Sequence, residues 1–478
     1  MRRLEISLAL SFFTAFPLFV EAKTHELLIR PKNESTAQLH HLEVGKVYRK
    51  VCNSESECET FAQKLDKKSF DFEKPVKFRG DTIEINDSSG ANGSNPPPAI
   101  EGVPLSGNEW SLFPVASDAG HVSGADIDVK RAWTIVKGSP HVYVFVMDSG
   151  IDDRDPDLAG LKVAGIDTVR SGQPPTDENG HGTQVTSIFA ARGKNMIGIA
   201  PADIKIVDGR FLNASNEGDT DKAIQVLDFF YNTMSQVREQ DKDALFIGNN
   251  SWGGDDFSQI VEDKMKRLST FGYLSITSAG NNNQRNNDSQ PYFPCNSKVV
   301  ANTCVGASDL KDGLASFSDY GPASVHLLAP GVQIYGIVPG ELQGGNYVSH
   351  YQRKDGTSQA VPHVTGVAAL IWSINPKLSA LDVHQILMKS VDPVPGAEAW
   401  VVSGGRLNAY RAVLTASGQN PSLADRSAAG GDGGCSLRST SDPSTHTPVG
   451  LSWWLLFATA ACLLLALRFR MKRNQKHI

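Results

Sequence analysis

The strongest constraint on the fold is an alternation of apolar runs and helical patterns between about Asn108 and Ala416. The strand-like runs are Val142–Met147, Ile204–Val207, Ala244–Ile247, Tyr273–Ile276 and Val299–Val305, and the helical stretches include Asp221–Gln236 and Pro362–Ile374. Strands that are apolar on both faces are typical of a parallel sheet, and the helices between them supply the crossovers. The sequence therefore predicts an α/β domain over residues 108–416.

The composition of the chain argues against two classes of protein. The chain carries 46 Lys and Arg residues against 52 Asp and Glu residues, a net charge of -6. A nucleic-acid-binding protein usually carries a basic patch, so this balance argues against that class. Apolar residues make up 40% of the chain and charged residues 21%, which excludes a fully disordered protein.

The N-terminal end has the pattern of a secretory signal. Arg2 and Arg3 precede the apolar run Ile6–Val20, and the small residue Ala22 follows. This order predicts a signal peptide over residues 1–22. The alternative is an uncleaved anchor, which the shortness of the run disfavours.

The C-terminal end predicts a membrane anchor. Residues 449–467 contain no charge, are long enough to cross a bilayer, and precede a basic tail over residues 468–478. Basic residues favour the cytoplasmic side. A buried helix and a GPI signal are alternatives that the basic tail disfavours. We therefore predict a single-pass type I membrane protein of the secretory pathway or cell surface, with the α/β domain lumenal or extracellular.

Residues outside the α/β domain and its anchor form two further regions. Residues 23–107 are polar and end in a linker rich in Ser, Gly, Asn and Pro, and residues 417–448 form a Ser/Gly-rich stalk. In an oxidising compartment, Cys52 can pair with Cys58 and Cys295 with Cys304, the alternative being free thiols. N-glycosylation sequons occur at Asn33, Asn86, Asn92, Asn213, Asn249 and Asn287, although Asn249 borders an apolar run.

Four residues in the α/β domain are candidate catalytic residues when they are considered together. Asp148 ends an apolar run, His181 begins a helical stretch, Asn281 follows a strand-like run, and Ser358 precedes an apolar helix. Each alone has an ordinary explanation as a turn or cap residue. Their order along the chain, Asp, His and then Ser, is the subtilisin order of a catalytic triad.

The segments around these residues resemble the subtilisin-like serine proteases, the subtilases. The resemblance covers residues 108–416 and includes the flanking motifs Gly198–Pro201, Asn250–Gly254, Leu328–Val332 and Gly404–Ala409. It implies a subtilisin-like parallel sheet flanked by helices. It also implies a serine endopeptidase that hydrolyses protein or peptide substrates through an acyl-enzyme and needs no cofactor for the chemistry. A catalytically silent subtilase-like ectodomain that acts as a binding module is the alternative, and it predicts an altered triad.

The resemblance assigns a role to each residue. Ser358 would be the nucleophile, His181 the general base and Asp148 the residue that orients the imidazole. Asn281 and the Ser358 N–H would hold the oxyanion. Substrates of the family pair as an added strand beside the cleft. The segment that would line the pocket for the residue before the cut is Ser251, Trp252, Gly253 and Gly254. Asp255 and Asp256 suggest a preference for basic residues, as in the kexin and furin branch, the alternative being two solvated acids.

Three further implications complete the prediction. Asp157 matches a calcium ligand of the family, but the loop 192–197 is shorter than the usual calcium loop, so structural calcium stays open. Gln184, Gln359 and Val361 depart from the family pattern, which affects fine specificity. Residues 23–107 occupy the position of a propeptide, an inhibitor removed from a zymogen by self-cleavage, and the linker Asp87–Ser106 is the expected cleavage region.

Overall fold

The predicted α/β architecture is present. The computed structural model describes residues 25–32, 48–52, 55–64, 70–84, 109–113 and 120–419. The strands are β1 (His25–Pro31), β2 (Tyr48–Cys52), β3 (Phe70–Glu73), β4 (Lys77–Gly80), β5 (Ile83–Glu84), β6 (Val142–Asp148), β7 (Lys162–Asp167), β8 (Lys205–Arg210), β9 (Glu217–Asp219), β10 (Leu245–Asn250), β11 (Trp252–Gly253), β12 (Leu274–Ser278), β13 (Asn302–Ser308), β14 (Leu327–Pro330), β15 (Ile334–Gln343), β16 (Asn346–Asp355), β17 (Asp392–Pro393) and β18 (Gly405–Arg406). The helices are α1 (Glu55–Lys64), α2 (Val129–Ala132), α3 (His181–Ala190), α4 (Thr220–Gln240), α5 (Gln259–Ser269), α6 (Thr357–Ile374), α7 (Ala380–Lys389) and α8 (Ala409–Ala416), and Ala397–Ala399 forms a 3₁₀ turn.

A nine-stranded sheet forms the centre of the molecule, in the order β17-β18-β14-β13-β12-β10-β6-β8-β7. Its neighbouring strands run parallel, except for the antiparallel pair β17 and β18. Every residue of β6 is buried. Val144 and Val146 pack with α3 and α6 on one face, whereas Phe145 and Met147 pack with α4 and α5 on the other. Both faces are therefore covered, which explains the continuous apolar runs in the sequence.

The helix α6 differs from its predicted extent. It begins at Thr357, five residues before the predicted start at Pro362, and is buried from Thr357 to Trp372. Pro362 lacks an N–H, so it cannot donate to the carbonyl of Ser358 four residues earlier. The Ser251 hydroxyl donates to that carbonyl instead, at 3.0 Å. This contact lets the helix continue through the proline and ties its first turn to the strand region at residue 251.

The described residues between 25 and 73 build a small fold that the sequence did not reveal. Strands β1, β2 and β3 form an antiparallel sheet in the order β2-β1-β3, beside helix α1. A disulfide joins Cys52 and Cys58, and a second joins Cys295 and Cys304. Both predicted local pairings are thus confirmed.

The small fold rests on helix α5. The Glu73 carboxylate accepts a hydrogen bond of 3.0 Å from the Ile260 backbone N–H, in the first turn of that helix, and Arg30 pairs with Asp263 at 2.7 Å. A carboxylate at a helix N-terminus satisfies a free amide and interacts favourably with the helix dipole. The position of residues 25–73 on the α/β body is therefore fixed by directional contacts.

Several predictions concern residues outside the described ranges. The signal peptide, the span 449–467, the basic tail and sequons Asn33, Asn86 and Asn92 are among them. Within the ranges that are described, no helix combines the length and apolarity that a membrane crossing requires. The side chains of Asn249 and Asn287 are wholly buried, so neither sequon is open to glycosylation in the folded protein.

Candidate active site

Asp148 and His181 meet at the carboxyl edge of the sheet. Asp148 is the last residue of β6, His181 is the first residue of α3, and both side chains are buried. The His181 Nδ1 atom lies 2.7 Å from the Asp148 Oδ1 atom. Gly182 permits this close approach, because a Cβ there would lie 2.1 Å from the Gly150 carbonyl oxygen. With Nδ1 donating to the carboxylate, His181 Nε2 is left to accept a proton, and it has no hydrogen-bond partner among the described residues.

A second buried acid lies beside this pair. Asp208 on β8 pairs in register with Val146 of β6, and its carboxylate is 3.6 Å from Lys162 Nζ. Burial raises the pKa of Asp208 to about 8, an effect that the Lys162 charge partly offsets. Burial thus favours the uncharged form of this carboxyl beside Asp148.

Ser358 lies in the first turn of α6, directly after the segment Gly356-Thr357. Its Oγ donates a hydrogen bond of 2.8 Å to the Ser251 carbonyl oxygen. The Ser358 hydroxyl is therefore bonded to the backbone and not to His181. Gly356 precedes the helix at a φ of 151°, and a Cβ at that position would lie 2.4 Å from the Asp81 carbonyl oxygen, so this approach requires glycine.

A backbone amide and a side-chain amide lie at the start of α6. The Ser358 N–H donates to the carbonyl oxygen of Asp81 at 3.1 Å. Asn281 accepts from the N–H and the hydroxyl of Thr357, each at 3.0 Å, through its Oδ1 atom. Its Nδ2 atom is thereby oriented, is buried, and has no partner among the described residues. A helix N-terminus with a further oriented amide is suited to stabilise a developing oxyanion.

The chain's own residues 77–84 lie in the cleft as an extended strand. Strand β4 runs antiparallel between β11 and β9, with Gly80 opposite Trp252 and Phe78 opposite Gly218. The Asp81 N–H donates to the Ser251 carbonyl oxygen at 3.2 Å. Past Asp81, strand β5 pairs with β16. The segment 251–254, predicted to bind substrate, thus pairs with an upstream segment of the same chain.

Successive residues of this strand have different surroundings in the cleft. The Phe78 ring packs edge-on against Trp252, 5.1 Å between centroids, and contacts Phe211 and Phe293. Gly80 faces Asn216, whose side chain would lie 2.2 Å from an added Cβ. The Asp81 carboxylate accepts hydrogen bonds from the Ser278 hydroxyl, at 2.5 Å, and from the Tyr292 hydroxyl. Burial raises the pKa of Asp81 to about 6, and these hydrogen bonds moderate the rise.

Comparison with known proteins agrees with this geometry. The sequence profile of the subtilase family matches residues 139–426. The chain belongs to the subtilase family. This subtilase is 32% identical to the thermophilic serine proteinase of Bacillus sp. (strain AK1), over 59% of its own length and 64% of the relative's. It is 32% identical to thermitase of Thermoactinomyces vulgaris, over 60% of its own length and 93% of that protein's. It is 29% identical to subtilisin-like protease 2 of Plasmodium falciparum, over 60% of its length and 22% of that protein's. The chain thus spans less than two thirds of the first and third of these relatives.

Two of the residues that depart from the family pattern form one contact in this subtilase. Gln359 Nε2 donates to Gln184 Oε1 at 3.0 Å and to the Thr82 hydroxyl at 3.1 Å. Gln184 Nε2 donates in turn to the carbonyl oxygens of Ile334 and Gln352. The two glutamines therefore line the cleft directly after Asp81. The sequence marked both residues as unusual but gave no sign that they touch.

Asp157 does not fit the role of a calcium ligand. Its Oδ1 atom accepts from the N–H of Lys194, and its Oδ2 atom accepts from the N–H groups of Asn195 and Met196, at 2.6 to 3.0 Å. These amide donors bring positive dipole ends to both oxygens, whereas a calcium site gathers oxygen ligands. Across the described part of the chain, no three acidic, histidine or cysteine side chains cluster as metal ligands. The short loop 192–197 is thus held by Asp157 itself.

The two acids after the strand β11 lie outside the pocket that holds Asp81. Asp255 pairs with Arg285 at 2.6 Å and is 66% exposed, and Asp256 is exposed as well. The pocket contacts of Asp81 are hydroxyl groups instead. This arrangement favours the second interpretation of Asp255 and Asp256, that of solvated acids.

Proposed function

We propose that this subtilase is a serine endopeptidase made as a zymogen, with Asp148, His181 and Ser358 as its catalytic residues. The observation that carries the proposal is the carbonyl of Asp81, which accepts from the Ser358 N–H while residues 77–84 extend through the cleft as a strand. A peptide in this position presents its carbonyl carbon to the side chain at position 358. The catalytically silent alternative is not favoured, because Asp148, His181, Asn281 and Ser358 are all present.

The chemistry follows from the positions of these groups. Ser358 Oγ turns from the Ser251 carbonyl toward His181 Nε2, gives it a proton and attacks the peptide carbonyl. The Asp148 carboxylate stabilises the resulting imidazolium. The Ser358 N–H and Asn281 Nδ2 receive the oxyanion, and one such donor contributes roughly 3 to 4 kcal/mol to the transition state in subtilisin. His181 then protonates the leaving amine, and water hydrolyses the acyl-enzyme.

We infer that residues 25–81 are the inhibitory part of the propeptide. Their small sheet rests on α5 through Glu73 and Arg30, and the following strand fills the cleft between β11 and β9. A strand added to the cleft by backbone hydrogen bonds excludes a substrate that would bind in the same way. The precursor is therefore held inactive until this segment is cut and released.

The last part of the proposal concerns the membrane topology of the chain. The signal sequence at residues 1–22, the apolar segment 449–467 and the basic tail support a type I protein of the secretory pathway or cell surface with a lumenal catalytic domain. The two disulfides agree with an oxidising compartment. We propose that the stalk 417–448 holds the protease near a membrane, where its substrates are proteins or peptides.

The decisive experiment compares the full-length protein with its Ser358→Ala variant. Both are expressed in secretory cells, extracted from membranes, reacted with a fluorophosphonate probe and sequenced from the N-terminus. We expect the wild type to react with the probe, to hydrolyse a protein substrate and to lose its propeptide, and the variant to do none of these. Identical N-termini, with no labelling and no hydrolysis by either protein, would contradict the proposed function.

A further inference from the structure

We propose that the enzyme cleaves its own chain between Asp81 and Thr82, and that the pocket holding the Asp81 side chain selects aspartate before the cut. The inference rests on the proposed endopeptidase function and names its substrate preference. It concerns a bond upstream of the linker Asp87–Ser106, where the sequence alone led us to expect cleavage.

The backbone register identifies the bond. In the described part of the cleft, the carbonyl bound by the Ser358 N–H is that of Asp81. The Asp81 N–H is bonded to the Ser251 carbonyl, and the same carbonyl accepts from the Ser358 hydroxyl. Both backbone groups of Asp81 are thus bound beside the nucleophile, its N–H by the Ser251 carbonyl oxygen and its carbonyl oxygen by the Ser358 N–H. A shift of one residue would place the opposite strand face toward the pockets and would break all of these contacts.

The chain is also bound on the far side of this bond. The Thr82 hydroxyl accepts from Gln359, and Ile83 and Glu84 pair with Asp355 and Lys354 of β16. Residues on both sides of the Asp81–Thr82 bond therefore make substrate-like contacts. A precursor awaiting cleavage has this arrangement, because a segment that merely blocked the cleft would not need to continue through it.

The pocket around the Asp81 side chain is shallow and ends in hydroxyl groups. Tyr292 is wholly buried, and its ring closes the pocket against Gly253, where an added Cβ would lie 2.3 Å from the ring. The Tyr292 hydroxyl donates to one carboxylate oxygen of Asp81 and the Ser278 hydroxyl to the other. The aromatic ring occupies the space that a Leu, Phe or Lys side chain would need. A short side chain with two acceptor oxygens fits what is left.

The charges nearby favour an acid over a base. Arg79, two residues earlier on the bound strand, and His181 both interact favourably with the Asp81 carboxylate. The Arg285 guanidinium lies 5.3 Å from the centre of the Tyr292 ring and is held there by Asp255. A lysine or arginine in place of Asp81 could not accept hydrogen bonds from the two hydroxyl groups and would lie close to the Arg79 charge. The hydroxyl donors and the charges thus select the same class of side chain.

The proposed cleavage is an ordinary hydrolysis. Ser358 Oγ forms an ester with the Asp81 carbonyl carbon, the Asp81–Thr82 C–N bond breaks, and the Thr82 amine leaves with the proton carried by His181. Water then adds to the ester, which frees Ser358 and leaves a carboxylate on Asp81. The products are a propeptide that ends at Asp81 and an enzyme chain that begins at Thr82.

The first test is made on the full-length protein. We expect N-terminal sequencing of the wild type to give Thr82, and Asp81→Asn to be processed at the same bond because the amide is of the same size and still accepts a hydrogen bond. Asp81→Leu and Asp81→Lys should slow the cut at this bond at least tenfold. A first cut by the purified enzyme elsewhere, such as within residues 87–106, would overturn the proposal.

The second test does not depend on folding of propeptide variants. Processed wild-type enzyme is given the peptides Lys-Phe-Arg-Gly-X-Thr-Ile-Glu, with X as Asp, Asn, Ala, Leu or Lys. We expect kcat/KM for Asp to exceed that for Leu and Lys at least tenfold. In Tyr292→Phe, which keeps the ring and removes the hydroxyl, the ratio of kcat/KM for the Asp peptide to that for the Ala peptide should fall severalfold.

The outcomes separate the two proposals. An enzyme that reacts with the fluorophosphonate probe but prefers Leu or Lys at X overturns the aspartate preference and leaves the endopeptidase function intact. A protein that neither reacts with the probe nor cleaves any peptide overturns the proposed function, and the present inference with it. An unchanged ratio of Asp to Ala in Tyr292→Phe would contradict the role of that hydroxyl in selection.

Discussion

The small sheet of residues 25–73 and the nine-stranded sheet are stabilised in different ways. The large sheet is buried on both faces, beneath α3 and α6 on one side and α4 and α5 on the other. The small sheet has a core of its own formed by Leu27, Ile29, Cys52 and Cys58. Leu28, between two of these residues, points the other way and packs into the core beneath α4 and α5. The small region thus buries part of its apolar surface against the α/β body.

Under the proposed function, the difference explains how one chain can contain both an enzyme and its removable inhibitor. Among its described side chains, only four are buried in a core of its own, and a core of that size stabilises a small domain only marginally. Its order comes from a disulfide, from contacts with α5 and from the strand that continues through the cleft. Once that strand is cut, the contacts with the body are no longer covalently enforced. Release is therefore easier for the region that depends most on its neighbour.

Ionisation of Asp81 should make binding of the cleft strand depend on pH, and this is the largest effect we expect. Burial raises the pKa of Asp81 to about 6 in the cleft, from the ordinary value of 3.8. The protonated side chain is thus preferred in the complex, so affinity is full below the ordinary pKa and declines as the pH rises toward 6. A difference of two pKa units corresponds to roughly a hundredfold at most.

The measurement uses the product peptide Lys-Phe-Arg-Gly-Asp and its Asn counterpart as inhibitors of the processed enzyme. The ratio of the two inhibition constants cancels the titration of His181 and other shared groups. The groups facing the Asp81 carboxylate are Arg79, His181, Ser278 and Tyr292. We expect the Asp peptide to weaken relative to the Asn peptide between pH 4 and 6 and to level off above pH 6. A ratio independent of pH would show that Asp81 binds with its ordinary pKa.

Much of the large domain was predictable from the sequence, and the small one was not. The strand-like run Val142–Met147 became β6 with one added residue, because burial on both faces leaves a continuous apolar signal. Residues 25–73 gave no such signal, since β1 divides its apolar residues between two cores, and one of those cores belongs to the other domain. Local periodicity cannot reveal a face whose partner is distant in sequence.

The active site shows the same limit. Asp148, His181, Asn281 and Ser358 were found because chain order and flanking motifs identify a family. Tyr292 and Ser278 were missed because each is an ordinary buried residue until Asp81 is placed beside it, about 200 residues away in the chain. The role of Asp157 stayed open because the sequence does not show that the short loop turns its N–H groups toward the carboxylate.

Removing one disulfide should weaken the small region selectively. Replacing Cys52 and Cys58 by Ser removes a cross-link over a short loop, which contributes about 2 kcal/mol, or roughly thirtyfold in local opening. In the Ser358→Ala precursor, hydrogen exchange of β1 and β3 amides should accelerate by that factor, while β6 amides keep their protection. The matched control replaces Cys295 and Cys304, whose disulfide lies in the large domain. Equal acceleration in β1 and β6 would mean that the two regions open together.

Removing the ion pair between the small sheet and α5 should have the smallest effect on amide exchange in the small sheet. Arg30 and Asp263 lie 2.7 Å apart and are partly exposed, so their pairing contributes about 1 kcal/mol or less. Asp263→Asn in the Ser358→Ala precursor should accelerate exchange of β1 amides by no more than about fivefold, because Glu73 still caps α5 and Leu28 stays buried. The control is Asp256→Asn, an exposed acid outside the interface with the small sheet. If exchange of the β1 amides accelerated as much as it does after removal of the disulfide, this ion pair would stabilise the small sheet more than its core does. That result would reverse the comparison between the two regions.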